Sequence, residues 1–283
     1  MKPLDSNFFD KIWQDERKKS SLYSRQQEPA AWNQFWDQYA PTYLKAANAL
    51  VPENKKMIQK WKEMGLIEHS TRVLDIGCGP GTFALPLGEE AGEVVALDLS
   101  KKMLEILAGE ARSKNINNIQ VRQENWEDVN YAQEFDIVLA ANSPAIYDFK
   151  TLMKMNQASQ KYCLYICYAG KMHSTLRDML WKEIMGEKMR GKAFDICYPF
   201  NILYQEGFLT NLFFEEQTYS YLEATDVVIE NYRTYFKIFG RGGPYVDNLL
   251  KNCILKHDLK GYIKETFSYK LAVMWWDVRC KHI

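Results

Sequence analysis

Short apolar segments alternate with amphipathic ones between residues 71 and 169. Five apolar segments have the length and composition of strands: TRVLDI (71–76), EVVALDL (93–99), NIQVRQ (118–123), FDIVLAA (135–141) and KYCLYICYA (161–169). Helical patterns stand between them at about 81–90, 100–114 and 150–160. Strands of this kind that alternate with helices predict a parallel sheet with helices packed on both faces.

Two helices have recognisable ends. In the segment 100–114, Ser100 can act as the N-cap, and one face carries Met103, Leu104, Leu107, Ala108 and Ala111. Upstream, Pro52 stands where the first turn of a helix is expected, and this helix is predicted to end at Gly65.

The pattern changes after residue 170. Helical stretches at about 172–190 and 225–240 flank a predicted strand at 211–223, and a helix at 245–257 precedes a last strand at 265–276. Two late strands separated by helices predict an antiparallel pair that completes the sheet. The fold expected is α/β: a doubly wound, mostly parallel seven-stranded sheet with a helical lid.

A glycine-rich turn follows the first predicted strand in VLDIGCGPG (73–81). Gly77, Gly79 and Gly81 let the backbone turn sharply and leave room for a ligand against it. Tight turns after strands also use glycine, so the spacing G-x-G-x-G alone does not establish a ligand site. Asp98 ends the second strand, where a carboxylate can accept hydrogen bonds from the hydroxyls of a ribose.

The charge beside this turn distinguishes two kinds of nucleotide ligand. A dinucleotide fingerprint reads G-x-G-x-x-G, but Thr82 stands at its third glycine position. Asp75 lies two residues before Gly77, where it would repel the pyrophosphate of a dinucleotide. S-adenosylmethionine has an ammonium, a sulfonium and a ribose but no phosphate, so the electrostatics favour it.

The order of VLDIGCGPG, VVALDLS, QENWEDV and EFDIVLAANSP resembles the class I S-adenosylmethionine-dependent methyltransferases over about residues 70–170. The resemblance implies the fold above, with residues 1–50 as a helical cover, 51–170 as the cofactor-binding core, and 171–283 as the remaining strands with helical insertions. It also implies a set of cofactor-binding residues: Tyr43, Asp75, Gly77, Cys78, Gly79, Asp98, Leu99, Met103, Asn125, Trp126 and Asn142.

The resemblance assigns roles within this set. Asp75 would lie close to the ammonium, Gly77 and Gly79 along the methionine part, and Asp98 at the ribose. Leu99 and Met103 would pack on the adenine, with Asn125 at its edge, while Trp126 is either a stacking or a core residue. Asn142 would line the junction of cofactor and substrate. FWDQYAPTY (35–43) is similar to an N-terminal helix that closes over the cofactor, with Tyr43 reaching the methionine carboxylate; plain structural packing is the alternative.

No catalytic motif stands out, and methyl transfer needs one only if the acceptor must lose a proton. In ANSPAI (141–146), a single proline without an aromatic neighbour departs from the motif of nucleobase amino-methyltransferases. Tyr147 is a candidate for the acceptor pocket, or else for the start of the next helix. His173 follows the fifth strand and is the candidate base, against the alternative of a structural histidine.

The amino-acid composition argues against several classes of binding partner. Lys plus Arg and Asp plus Glu number 36 each, which argues against a binder that depends on bulk positive charge, such as many nucleic-acid-binding proteins. The six cysteines show neither a CxxC pair nor zinc spacing, which favours free thiols in the cytoplasm and no metal site. No stretch resembles a signal peptide or a membrane span.

These observations predict an enzyme that transfers a methyl group from S-adenosylmethionine to a small molecule by in-line displacement, leaving S-adenosylhomocysteine. The alternatives are an RNA or protein methyltransferase, a non-catalytic S-adenosylmethionine-binding protein and, last, a dehydrogenase. The acceptor and the oligomeric state do not follow from the sequence.

Overall fold

The computed structural model describes residues 5–20, 23, 28–170, 172–186 and 195–282. Its strands are β1 (Arg72–Ile76), β2 (Glu93–Asp98), β3 (Ile119–Gln123), β4 (Phe135–Ala141), β5 (Ser159–Tyr168), β6 (His173–Ser174), β7 (Asn211–Ala224) and β8 (Tyr262–Asp277). The helices within these residues are α1 (Ser6–Lys18), α2 (Pro29–Glu63), α3 (Ala84–Gly88), α4 (Lys101–Ser113), α5 (Phe149–Ala158), α6 (Thr175–Met185), α7 (Cys197–Gln205), α8 (Thr225–Ile238) and α9 (Pro244–Leu255).

The strands form one mixed sheet in the order β3-β2-β1-β4-β5-β8, and both β6 and β7 pair with β8. Pairs within β1 to β5 are parallel, whereas β8 runs antiparallel to β5 and β7. The chain order reverses between β1 and β4, and ligands of doubly wound sheets bind beyond the carboxyl ends of the strands at such a point.

The β7–β8 ribbon extends past the carboxyl end of the parallel strands. β5 ends at Tyr168, which pairs with Leu271 of β8, while the preceding residues of β8 continue in register with β7 as far as the pair Ala224 and Tyr262. The part of β8 before Leu271 therefore stands beyond the edge where the strands of the core end. It forms a wall beside the switch point.

Alternating side chains of the strands fill two separate apolar layers. One layer packs Leu74, Val95 and Val138 beneath α1, α5 and α7. The other packs Val73, Val94 and Ile137 beneath α3, α4 and the second half of α2. A period of two along buried strands places successive residues on opposite faces, so helices on both faces are what this pattern requires.

A third apolar cluster lies outside the two sheet layers. It joins α6, α8 and α9 around Leu180, Trp181, Phe236 and Leu250, all of which are buried. These helices occupy the place in the chain that the sequence predicts for the lid. No helix in the described part of the chain is long and apolar enough to cross a membrane.

The predicted α/β fold is confirmed, including the late antiparallel pair and Ser100 as the N-cap of α4, whose hydroxyl accepts a hydrogen bond from the Met103 amide. Two expectations are wrong in detail. The sheet has an eighth strand, the two-residue β6, and α7 lies in a stretch where no helix was predicted.

The helix expected to begin at Pro52 is part of a longer one. α2 continues from Pro29 to Glu63 through Pro52, and Gly65 follows its end with φ of 73°. Proline removes one backbone donor from a helix interior; here Pro52 is exposed, so water can reach the carbonyl that loses its partner. The expected division after residue 50 falls inside this helix.

Candidate functional site

Two cavities meet beyond the carboxyl ends of the parallel strands. The larger, of about 470 Å³, surrounds the turn after β1 and the end of β2. The smaller, of about 210 Å³, lies between α2, α8 and the β7–β8 ribbon. Tyr43 and Asn142 line both of them. The cavities are therefore neighbours with a shared boundary.

The turn after β1 exposes backbone to the larger cavity. Gly77 and Gly79 have φ of 66° and 55°, a region that side chains rarely adopt. A Cβ atom on Gly77 would lie 2.1 Å from the Ser143 hydroxyl oxygen, so a larger residue there would force Ser143 to move. The Gly77 and Cys78 amides donate to the Leu97 carbonyl at 2.7 and 3.0 Å, which ties the turn to β2.

The carboxylate of Asp75, in β1, is buried and one of its oxygens has no hydrogen-bond partner in the described part of the chain. The residue is 2% exposed, and within the described part of the chain its Oδ2 atom has no hydrogen-bond partner. Burial, and secondarily the negative charge of Asp98, raise the pKa of Asp75 from 3.8 to about 7. A carboxylate in this state is stabilised by any cation or donor that enters the cavity.

Asp98 closes the opposite side of the turn. Its Oδ2 atom accepts a hydrogen bond from the Gly79 amide and its Oδ1 atom from the Ser100 amide, both at 2.8 Å. Burial raises the pKa of Asp98, and these backbone donors oppose the rise. A carboxylate has about four lone-pair sites, so each oxygen can accept a further bond.

The third wall of the larger cavity comes from the segment after β3 and from α1. Asn125 and Trp126 line it, and Trp126 is also part of the core, where its Nε1 atom donates to the Thr151 carbonyl. Tyr147 lines the same wall: its hydroxyl donates to Glu127, and the Arg17 guanidinium lies 4.0 Å from the centre of its ring.

Helix α2 covers the cavity, and Asp37 in its first half bonds it to α4. Asp37 Oδ1 accepts hydrogen bonds from the Ser100 hydroxyl at 2.5 Å and from the Lys102 amide at 3.1 Å. One carboxylate thus binds both the N-cap residue and the first turn of α4. Two turns further along α2, the ring of Tyr43 lies over Gly79, 3.8 Å from a Cβ atom built there.

The smaller cavity is lined mainly by aromatic side chains. They come from α2, the end of β5, β7, β8 and α8: Tyr39, Tyr43, Tyr168, Tyr219, Tyr221, Tyr232, Tyr235, Phe267 and Tyr269. Two charged residues, Arg177 and Glu265, also line it. Burial raises the pKa of Tyr39, Tyr168 and Tyr219, so these phenols stay neutral at physiological pH.

Every predicted site residue except His173 lines the larger cavity. All eleven expected cofactor residues line the larger cavity: Tyr43, Asp75, Gly77, Cys78, Gly79, Asp98, Leu99, Met103, Asn125, Trp126 and Asn142. Tyr147, expected near the acceptor, also lines the larger cavity. His173 lines neither; its side chain is 69% exposed and its Nδ1 atom lies 3.4 Å from Asp178 Oδ2.

Sequence reasoning missed most of the smaller cavity. A signal was present in two nearly matching pentapeptides, QTYSY (217–221) and ETFSY (265–269), in which every second residue is large. In the sheet they face each other, pairing Gln217 with Tyr269, Tyr219 with Phe267, and Tyr221 with Glu265. No comparable sequence pattern marked Arg177 and Asn231, which also line the smaller cavity, or Asp37, which bonds α2 to α4.

Comparison with known proteins gives a family match over part of the chain. Residues 67–184 match a family model described as a methyltransferase domain. An uncharacterised protein of Haemophilus influenzae is 31% identical over 185 residues, which are 64% of this chain and 66% of that protein. A 23S rRNA (uracil(1939)-C(5))-methyltransferase of Legionella pneumophila is 30% identical over 92 residues, which are 32% of this chain and 20% of the enzyme.

The chain thus spans just under two thirds of the first relative and a fifth of the second. Among solved structures, the YcgJ protein of Bacillus subtilis aligns over 80% of this chain and 97% of its own, with a TM-score of 0.49 and 17% identity.

Proposed function

Because residues 67–184 match a methyltransferase domain, we propose that this chain is a class I S-adenosylmethionine-dependent methyltransferase that methylates a small molecule bound in its smaller cavity. The observation that carries the proposal is the pair of adjoining cavities, one lined by every residue expected to bind cofactor and the other lined by aromatic rings. Two substrates that react directly need such neighbouring sites.

The larger cavity fits S-adenosylmethionine by its donors and acceptors. The unpartnered Oδ2 atom of Asp75 suits an ammonium, and a cation there would remove part of the cost of burying the carboxylate. The oxygens of Asp98, each with one backbone bond, can accept bonds from ribose hydroxyls. Gly77 and Gly79 line the cavity without side chains, so the methionine part can lie against their backbone. A dinucleotide fits less well, because its pyrophosphate would lie beside two buried carboxylates.

When bound, S-adenosylmethionine supplies an electrophilic methyl group on a sulfonium, a good leaving group. The protein has to align the acceptor with that methyl and keep water out. Tyr43 and Asn142 are placed for this task because they line both cavities. Orientation of this kind supplies roughly 7–11 kcal/mol of a barrier in well-aligned reactions.

An RNA acceptor is the second candidate, since one relative methylates 23S rRNA. The equal numbers of acidic and basic residues do not favour it.

Two measurements test the proposal. In calorimetry, S-adenosylmethionine is expected to bind and NAD is not; the reverse result would exclude the methyltransferase. Release of S-adenosylhomocysteine is then measured with a metabolite extract and with total cellular RNA as acceptors, and the small-molecule fraction is expected to give the turnover.

A matched pair of variants locates the acceptor. Tyr219→Trp enlarges a side chain in the smaller cavity, whereas Leu222→Trp enlarges one that is exposed on the same strand. The first is expected to abolish methylation of small molecules without changing the affinity for S-adenosylmethionine, and the second to leave both unchanged. Equal activity of the two variants would place the acceptor elsewhere.

A further inference from the structure

The wall of the smaller cavity formed by β7 and β8 carries a single carboxylate among aromatic rings. Three cross-strand pairs point to one face of the ribbon: Gln217 with Tyr269, Tyr219 with Phe267, and Tyr221 with Glu265. The rings of Tyr219 and Phe267 stack with their centres 5.0 Å apart, and the Tyr269 hydroxyl donates to Gln217 Oε1 at 2.6 Å. This face is therefore rigid, and it places Glu265 at a fixed position.

Glu265 is held by neutral hydroxyl groups. It is 3% exposed, and its Oε1 atom accepts bonds from Ser174 Oγ at 2.7 Å and from the Tyr232 hydroxyl. Its Oε2 atom accepts from the Tyr221 hydroxyl at 3.2 Å and keeps a lone-pair site. Three donors favour the charged carboxylate, but hydroxyls carry no positive charge to balance it.

One described cation, Arg177, lines the same cavity. Its Nη2 atom donates to the Met172 carbonyl at 2.7 Å and lies 3.3 Å from Asp178 Oδ1, while its buried Nε atom has no hydrogen-bond partner in the described part of the chain. Arg177 and Asp178 together are formally neutral, so with Glu265 the three groups carry one negative charge. An occupant with a positive charge would balance it.

The aromatic rings that line the smaller cavity also favour a positively charged ligand. The faces of phenol rings are negative and attract cations that approach within about 6 Å of the ring centre. The hydroxyls of the tyrosines that line this cavity add polar atoms that a bound molecule can contact. The unpartnered Arg177 Nε atom can donate to a further polar group of the same molecule.

Building on the proposed function, we propose that the methyl acceptor is an amine, held as its ammonium by Glu265 and by the tyrosine rings of the smaller cavity. The ammonium gives one proton to the Glu265 carboxylate, and the freed nitrogen lone pair forms the N–CH₃ bond as the S–CH₃ bond breaks. The products are an N-methylated ammonium and the neutral thioether S-adenosylhomocysteine, and the proton on Glu265 leaves to water when the product departs.

Recognition is measured without turnover, using a pair of probes that differ in charge. Choline and its uncharged isostere 3,3-dimethylbutan-1-ol are titrated into the protein saturated with S-adenosylhomocysteine. We expect choline to bind at least tenfold more tightly than the isostere. Equal affinities, or no saturable binding of choline, would overturn the inference, and this comparison uses the unaltered protein.

Two substitutions test whether the Glu265 carboxylate causes the preference for choline. Glu265→Gln is expected to reduce the preference for choline to less than threefold. Glu216→Gln, on the neighbouring strand, serves as the control because its side chain is 75% exposed and paired with Lys270; it is expected to keep the full preference. An undiminished preference in a folded Glu265→Gln variant would assign recognition to another group.

Failure of this inference is distinguishable from failure of the proposed function. A panel of primary and secondary amines, phenols, thiols and carboxylic acids is assayed for release of S-adenosylhomocysteine. Turnover of amines supports the inference. Turnover of phenols or thiols without amines overturns it and leaves the methyltransferase in place, while a protein that binds neither S-adenosylmethionine nor S-adenosylhomocysteine contradicts both.

Discussion

Asp75→Asn is expected to make the ligand-free protein more stable at neutral and alkaline pH while weakening its binding of S-adenosylmethionine. The pKa of the buried Asp75 carboxyl is about 7, against 3.8 for an ordinary aspartate. At about 1.4 kcal/mol for each pH unit, ionising this group in the folded protein costs roughly 4 kcal/mol. Asparagine has nearly the same shape without the charge, so the variant avoids this cost.

The direction in which folding shifts the pKa of Asp75 determines how the stability difference between wild type and variant varies with pH. Below about pH 4, Asp75 is protonated in both the folded and the unfolded chain, and the charge makes no difference. Between about pH 4 and 7 the unfolded chain releases the proton first, so the wild type loses stability relative to the variant as the pH rises. Above about pH 7 the difference is constant, in favour of the variant.

The affinity for S-adenosylmethionine should fall in Asp75→Asn, although the stability of the ligand-free protein rises. Loss of a hydrogen bond to a charged group costs about 1.5–3 kcal/mol, which corresponds to about 10- to 150-fold weaker binding of S-adenosylmethionine. Urea unfolding between pH 4 and 8.5 measures the first effect, and calorimetry with the ligand measures the second. Glu105→Gln, a half-exposed carboxylate on α4, is the control and should change the stability by less than about 0.5 kcal/mol. A stability difference that does not vary with pH would refute the account of Asp75, and an unchanged affinity would remove it from the ligand.

Three further substitutions test other parts of the larger cavity. Asp98→Ala should weaken S-adenosylmethionine binding by about 1.5–3 kcal/mol in calorimetry, and unchanged affinity would remove Asp98 from the ribose. Gly77→Ala should destabilise the protein by about 2 kcal/mol or more in urea unfolding, since φ is 66° and the new Cβ atom meets Ser143; a neutral result would show that the turn can relax. Asp37→Ala removes the acceptor of the Ser100 hydroxyl and should cost about 1–2 kcal/mol, with faster dissociation of S-adenosylmethionine in stopped-flow measurements; an unaltered rate would contradict a covering role for α2.

The sequence predicted the larger cavity well because its residues are close to strand ends. A residue at or near the carboxyl end of a parallel strand lies at that edge of the sheet whatever the rest of the chain does. Asp75, Gly77, Asp98 and Asn142 are of this kind, and local patterns were enough to place them.

The smaller cavity depends on contacts between distant parts of the chain. Glu265 accepts hydrogen bonds from Ser174, which is 91 residues away in the sequence, and from Tyr232, which is 33 residues away. No local sequence pattern spans such separations. His173 shows the converse error: it follows a strand end, but the short strand β6 pairs it with Ser268 at the sheet edge, where its side chain stays in solvent. The length of α2 was missed because Pro52 on an exposed face does not end a helix.

Because side chains alternate between the two faces of the β7–β8 ribbon, substitutions and insertions would change this cavity in different ways. Point substitutions at Tyr219, Phe267 or Tyr269 alter one part of its wall and leave the rest in place. Gain or loss of a single residue within either strand would instead turn the intervening serine and threonine toward the cavity and carry that strand's cavity-lining rings, Tyr219 and Tyr221 or Phe267 and Tyr269, outward. Related chains that differ here by substitution can therefore drift gradually in what they accept, whereas those that differ by an insertion should have lost the old specificity in one step.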